Sequence, residues 1–374
     1  MTSLDINIIS ICISLRIYFF PSLFPRKIKG KKKSIFIVFL LFSVKTMVYV
    51  DKLSDVKNRF YSWSKVICEN KWSTVYSGTK CDAENTPVAI KIVSDQAVKT
   101  WCKHRNREIG ECGRPEYGSE LPKEICCLRE GKGVPGVISM LDWYYVRETS
   151  QWIIVMHRPK RHLDLYRYYE SLANDLNVFY TRCTGKEGRI QRNLALMLLW
   201  ATGEMKDILS RAGDSAVRLL KRGVVCSDMK QENIVVDMDT NKPWLVDMEC
   251  SFVGRECVHY PIMLYTTNQN KCPEFYTHIH GRDNVSTSTI ETMMSYLIGT
   301  LVLHSTNAEL VDVLDAKLID NDPDERDKTI DEIERVVLRL PIGKKKDLLC
   351  HLLEADNTSL RPDVDIALRR LRQL

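Results

Sequence analysis

The sequence predicts an α+β, bilobal protein, with a small β-rich lobe containing one helix followed by a larger α-helical lobe. Three observations carry this. Short alternating apolar runs fill residues 60–93 and return at 136–157. After Pro159, apolar residues recur at three- and four-residue spacing instead. The length of 374 residues is too great for one small core; at roughly 150 residues per domain it suggests about two.

The elements follow in order. "FYSWSKVI", "WSTVYSG" and "TPVAIKIV" read as strands. A polar stretch bearing Gly and Pro then runs to Pro122. "KEICCLREG" reads as a helix ended by Gly131, and "GVISMLDWYYVRE" and "SQWIIVMHRP" as two more strands. Past a hinge near 157–163, "LDLYRYYESLANDL" and "QRNLALMLLWATGEMKDILSRAGDSAVRLLKRG" are helical, with "NVFYTRCTGKEGR" expected as a surface loop between them. "ENIVVDMD" and "PWLVDME" are short β-like runs, and the remainder, including "SYLIGTLVLHS" and "TIDEIERVVLRL", is mainly helical. The expected division is an extension over 1–50, a first lobe over 55–157 and a second over 158–374. There is no internal repeat.

Composition narrows the class. With 44% apolar and 27% charged residues the chain is an ordinary globular one. The net charge of +6 sits in one block: the first fifty residues hold eight basic side chains and one acidic, and the remainder is near neutral. Nucleic acid is therefore not an expected partner. Thirteen cysteines, an odd number without any Cys-x-x-Cys pair, argue against a disulfide framework. Reduced thiols in the cytoplasm or nucleus are expected. His278 and His280 have no companion ligands at zinc spacing. In the N-terminal block, "IKGKKKSIFIVFLLFSV" sets a Lys-rich run before an apolar one, and "INIISICISLRIYFFPSLF" is broken by Arg16 and Pro21. Neither reaches the roughly 20 residues of a spanning helix. Three readings stand: membrane association, a signal sequence, or translation from Met47.

Three separated elements carry chemistry. "VAIK" puts Lys91 on a strand; "SDMKQENIVV" sets Asp228, Lys230 and Asn233 in a loop before a strand; "LVDME" puts Asp247 just after the next strand. Alone, each is more simply a solvated lysine or a turn-forming aspartate. Their order and spacing together resemble the protein-kinase fold, from about Phe60 to Leu374. The resemblance implies that Lys91 grips the α- and β-phosphates of ATP and pairs with Glu124 of "PKEICCLRE". Ile67, Val75 and Ala89 would complete the ATP site. It implies that Asp228 accepts the proton of a substrate hydroxyl, that Lys230 marks serine/threonine specificity, and that Asn233 and Asp247 hold Mg²⁺. Glu274 of "CPE" would pair with Arg361 of "LRPD" as a structural brace.

Within that superfamily, "TVYSG", "LPKEICCLRE", "GVISMLDWY" and "RPKRHLDL" resemble segments of the PIM serine/threonine kinases in order, and Pro159 matches their hinge proline, which lacks an N–H for adenine. Such divergence is the kind expected of a copy carried by a large DNA virus. Asp164 and Glu232 fit a groove for basic peptides, although Lys160, Arg161 and Arg167 bring opposite charge.

The pattern also breaks. In "ICENKWSTVYSG" the three loop glycines of the family align with Cys68, Asn70 and Ser73, with Trp72 at the tip. Glycine permits positive φ and close approach to phosphate; Asn tolerates the left-handed region, and Cys68 is hardest to accommodate. A stiffer or displaced loop and weaker ATP binding are expected. Cys226-Ser227-Asp228 stands for His-Arg-Asp, so a phosphate switch on the activation segment is not expected. Asp247-Met248-Glu249 stands for Asp-Phe-Gly; Met248 can fill an apolar socket, while Glu249 adds negative charge near the metal. No aspartate in "STSTIETMM" matches the one that braces the catalytic loop. Two functions follow: a monomeric ATP- and Mg²⁺-dependent kinase acting on protein Ser/Thr, or a pseudokinase that binds nucleotide or partners with little turnover.

Overall fold

The computed structural model describes residues 48–57, 59–70, 73–95, 121–184, 192–253, 287–306, 323–354 and 358–374. The chain divides into Met1–Thr46 and Met47–Leu374, and all described residues lie in the second unit. The expectations for residues 1–46, Trp72, His278, His280 and the Cys272–Glu274 motif lie outside the described residues.

The fold is α+β and bilobal, as expected. Its first part is a six-stranded sheet: β1 (Val48–Val50), β2 (Tyr61–Glu69), β3 (Ser73–Lys80), β4 (Pro87–Ser94), β5 (Met140–Val146) and β6 (Gln151–His157), in the order β1-β5-β6-β4-β3-β2. All neighbours are antiparallel except β1, which runs parallel to β5. A short helix, α1 (Leu53–Lys57), follows β1.

Strand alternation sorts the two faces. Val88, Ile90 and Ile92 of β4 enter a cluster with Val56, Tyr61, Trp63, Tyr144, Val146, Ile153 and Val155. Val93 points the other way, into the main core, and Lys91 shares its side by the period of two. Gly78 of β3 is held to glycine by close packing rather than by backbone angle: a Cβ there would stand 2.6 Å from the Ser62 carbonyl oxygen.

The helix α2 (Lys123–Glu130) lies on the Lys91 side of the sheet, with Ile125 and Leu128 buried in the main core. Beyond it the chain turns through Gly133 and Gly136, both at φ 76°. Gly136 abuts Ser215, whose hydroxyl donates to the Pro135 carbonyl at 2.9 Å. This turn and the strand Lys242–Leu245 exchange backbone bonds, Ile138 N to Leu245 O at 3.0 Å and Leu245 N to Gly136 O at 2.8 Å. So α2 is tied to the helical half through the backbone.

The second part holds α3 (Leu165–Thr184), α4 (Arg192–Ala201), α5 (Glu204–Lys221), α6 (Thr287–His304), α7 (Pro323–Arg339), α8 (Lys344–Leu352) and α9 (Val364–Arg372). Between α5 and α6 stand β8 (Val224–Val225), β9 (Ile234–Asp237), β10 (Lys242–Leu245) and β11 (Phe252–Val253), while β7 (His162–Asp164) precedes α3. The pairs are β7–β9–β10 and β8–β11. The main core runs from Val93, Ile125 and Leu128 through α4 and α5 to α6, α8 and α9.

One sequence expectation is corrected. Residues 177–184 are not loop but the last turns of α3. Leu165, Tyr169 and Ala173 are buried at four-residue spacing, but Val178, Phe179 and Tyr180 are exposed. The helix outruns the core, so its apolar period disappears while the helix continues. The helical run 191–223 is two helices, divided at Gly203 with φ 80°. Cys68, Cys81, Cys126, Cys127, Cys183, Cys226, Cys250 and Cys350 are all free. Among the described residues no helix is long and apolar enough to cross a membrane.

Candidate active site

The candidate site lies where the sheet meets the helical half. Lys91 reaches it from β4 because that face of the strand looks toward α2. Glu124, in the first turn of α2, meets it: Lys91 Nζ stands 2.8 Å from Glu124 Oε2, and each side chain is about 4% exposed. An ammonium in so dry a place needs compensating charge, and two further carboxylates supply it. Asp247 Oδ1 is 2.8 Å from Nζ and Glu249 Oε2 is 3.0 Å. Burial disfavours the charge on Lys91, but Asp247, Glu124 and Glu249 together outweigh it and hold the ammonium well above its ordinary pKa. Burial pushes Glu124 up, to about 7, against the pull of Lys91. Burial also raises Glu249. Asp247 ends below the usual carboxylate range, because Lys91 outweighs the cost of burial there.

The opposite wall comes from the loop after β8 and from the β9–β10 hairpin. Ile234 pairs with Leu245, so the residue before β9 and the residues after β10 emerge at one end of the hairpin. Val246 N donates to the Asn233 carbonyl at 3.0 Å, which fixes Asn233 beside Asp247. The Asn233 amide nitrogen donates to Asp228 twice, to its carbonyl at 2.9 Å and to Oδ2 at 3.0 Å. Its amide oxygen is thereby the atom suited to a hard cation. Lys230 Nζ stands 3.4 Å from Asp228 Oδ2. Burial opposes the Lys230 charge, but Asp228 more than offsets this, with Glu232 adding to it, and its pKa rises. Asp247 sits at φ 57°, in the left-handed region where a non-glycine residue carries strain and where functional positions concentrate.

The loop that carries Asp228 is braced by neighbouring polar groups. Tyr169 of α3 donates to Gln231 Oε1 at 3.1 Å, and Gln231 donates to the Ser305 hydroxyl at 3.1 Å. Ser227 donates to the Cys250 carbonyl at 2.6 Å and so ties this loop to the segment after Asp247. Met248 is fully buried, in contact with the Ser251 hydroxyl. Cys226 is buried too, and burial, helped by the charge of Asp228, pushes its thiol up to about 12. It is packing, not a nucleophile.

The remaining expected residues fall as follows. Ile67, Val75 and Ala89 are half-buried on β2, β3 and β4, and Val75 pairs with both Cys68 and Lys91. Asp164 accepts from the Arg167 backbone at 2.7 Å and caps α3, while Glu232 is exposed. The Asp164 carboxyl is raised by burial. Arg161 turns away, to Asp239 at 3.0 Å. Arg361 is buried, donates to the Glu354 carbonyl at 2.5 Å and stacks on Tyr296; its expected partner Glu274 lies outside the described residues.

The β2–β3 turn differs from the glycine-substitution picture. Asn70 is not among the residues at positive φ. It acts through its side chain: Oδ1 accepts from the Ser73 N–H at 2.7 Å, while its own N–H donates to the Ser73 carbonyl at 2.9 Å. Cys68 fits as an exposed strand residue, because a register shift between Val66 and Cys68 absorbs the extra residue. Glu249, Ser227, Gln231 and Ser305 are the site residues that sequence reasoning missed as contacts. A Glu where small residues are usual was a visible signal for the first alone.

Comparison with known proteins finds serine/threonine-protein kinases. The serine/threonine-protein kinase prk-2 of Caenorhabditis elegans is 26% identical over 185 residues, 49% of this chain and 33% of that protein. The serine/threonine-protein kinase pim-2 of Danio rerio is 26% identical over 195 residues, 50% of this chain and 51% of that protein. The likeness supports a place in the protein-kinase superfamily. The chain spans about half the length, or less, of these curated relatives. No family model matches it.

Proposed function

We propose that this chain is a protein serine/threonine kinase that transfers the γ-phosphoryl group of ATP to a protein hydroxyl, with Mg²⁺. The observation that carries the reading is the buried Lys91–Glu124 pair at 2.8 Å, joined directly to Asp247 at 2.8 Å, beside the bonded group of Asp228, Lys230 and Asn233. Phosphoryl transfer asks for charge neutralisation and an in-line hydroxyl rather than covalent work by the protein. In this reading Ile67, Val75 and Ala89 hold the base, and Lys91 neutralises the α- and β-phosphates. Asp228 orients the substrate hydroxyl and accepts its proton, and Lys230 stabilises charge developing on the transferred group. Asn233 and Asp247 offer the amide and carboxylate oxygens that suit Mg²⁺, which when bound neutralises phosphate charge. Asp164 and Glu232 contribute negative charge to the protein-substrate groove, and the two lobes divide near residues 157–158. The protein acts as a monomer in the cytoplasm or nucleus.

A pseudokinase reading has its own support. Lys91 is engaged by Glu249, and the Ser73 N–H is engaged by Asn70, so two groups that could meet phosphate have internal partners. The deciding test is transfer from radiolabelled ATP by the full chain under saturating Mg-ATP, beside Lys91→Met and Asp247→Asn. Transfer by the native chain that both variants lose supports the kinase. Equal background from all three removes it and leaves the pseudokinase.

A further inference from the structure

Glu249 occupies the position that follows Asp247-Met248, and its carboxylate is turned back onto Lys91 rather than out to water. The contact is 3.0 Å, and the Glu249 side chain is 17% exposed. Lys91 therefore holds three carboxylates, of which Glu124 and Asp247 are the partners that the proposed reaction uses. A lysine ammonium has three donors. Glu124, Asp247 and Glu249 each lie within hydrogen-bonding distance of it. An incoming phosphate oxygen must displace one of them. Glu124 is fixed by α2 and its burial. Asp247 is fixed by the end of the β9–β10 hairpin. Glu249 is on the segment leading from Asp247 to β11, three bonds from its backbone, and is the ligand with the longest distance.

We propose that Glu249 is a built-in stand-in for phosphate: in the nucleotide-free protein its carboxylate occupies Lys91, and a nucleotide's phosphates bind by displacing it. The proposal rests on the nucleotide-site reading above and deepens it. Glu249 is a positioning residue. It holds Lys91 and Asp247 in one closed cluster, and it lowers affinity for phosphate-bearing ligands without lowering affinity for the base. The cleft thereby discriminates between a nucleoside and its triphosphate less than the Lys91 ammonium alone would.

The test measures calorimetric binding of adenosine and of Mg-ATP to the full chain, its Glu249→Gln variant and its Glu249→Asp variant. Gln keeps the size and loses the charge; Asp keeps the charge with a shorter reach. Loss of a charge-assisted contact that competes with phosphate is expected to tighten Mg-ATP binding roughly tenfold in Glu249→Gln, with adenosine binding unchanged. Glu249→Asp is expected to fall between the two. An ATP-to-adenosine affinity ratio that is unchanged, or that falls, in Glu249→Gln overturns the proposal while adenosine binding keeps the nucleotide site. Failure of all three proteins to bind either ligand, with melting temperatures showing them folded, overturns both. A merely structural role for Glu249 would shift both ligands alike, which also counts against it.

Discussion

The two sides of the candidate site, the wall of the hairpin and loop and the sheet wall, are built differently. On the side of the hairpin and loop, Asp228 is bonded twice by Asn233 and paired with Lys230, and Asp247 reaches from the end of the hairpin to Lys91. On the sheet wall the Lys91–Glu124 pair is present, but its surroundings are rebuilt: Glu249 joins the ion cluster and Asn70 closes the β2–β3 turn. What differs is the kind of demand. The first wall needs particular charged and amide groups, which no other side chains supply. On the proposed reading, the second needs a backbone shape near phosphate, which side-chain hydrogen bonds can supply without glycine. Function that resides in charge is hard to substitute; function that resides in conformation has several solutions.

The largest effect should come from the charged wall. Asp228→Asn is expected to lower kcat by roughly 10²–10⁴-fold, the usual worth of a positioned base. Stability should hardly change, because the amide oxygen can still accept from Asn233. A single-turnover assay beside a urea melt checks both halves. A kcat equal to that of the native chain would remove Asp228 from the chemistry and erase the contrast between the walls.

Lys91→Met tests the other wall by stability. Removing one partner of a buried ion cluster costs about 3–5 kcal/mol, because the carboxylates are left facing one another. Asp247 and Glu249 are less buried than Glu124, which draws the expectation to the lower end. Urea unfolding at neutral pH reads it. A loss below about 1 kcal/mol would mean that the carboxylates reorganise freely and that the cluster is not preorganised.

These tests bear on what was legible in the chain. Lys91, Asp228, Lys230, Asn233 and Asp247 are legible as candidates because their order and spacing resemble the protein-kinase pattern. The contact of Glu249 with Lys91 was not legible, nor was the tie from Ser227 to Cys250, since both depend on how separate segments approach in space. The strand β1 escaped notice because three residues carry no period, and the end of α3 because exposed turns have none. At Asn70 the residue was noticed and its means mistaken: the chain uses the amide side chain, not a left-handed backbone.

Support for the charged wall from below can be broken by acid. His304, at the end of α6 and adjacent to the Ser305 that bonds Gln231, is 3% exposed, and burial lowers its pKa to about 4 from 6.5. The unfolded chain therefore takes up a proton near pH 6.5 while the folded one refuses it until about pH 4. Its contribution is complete above pH 6.5 and is lost as pH falls toward 4, by up to about 3 kcal/mol. His304→Leu should flatten that part of the pH–stability curve in urea melts. An unchanged slope would place the acid sensitivity in other groups.

The smallest effect decides how the sheet wall was rebuilt. If Asn70 acts through its Oδ1 on the Ser73 N–H, Asn70→Ala should cost about 1 kcal/mol. Asn70→Gly should cost at least as much, because glycine restores no hydrogen bond and adds backbone freedom to the unfolded chain. If instead the turn needs unusual backbone angles, glycine should be the better of the two replacements. Paired thermal melts of the two variants give opposite orders for the two accounts. The absence of positive φ at Asn70 favours the hydrogen bond from the Ser73 N–H to its side chain.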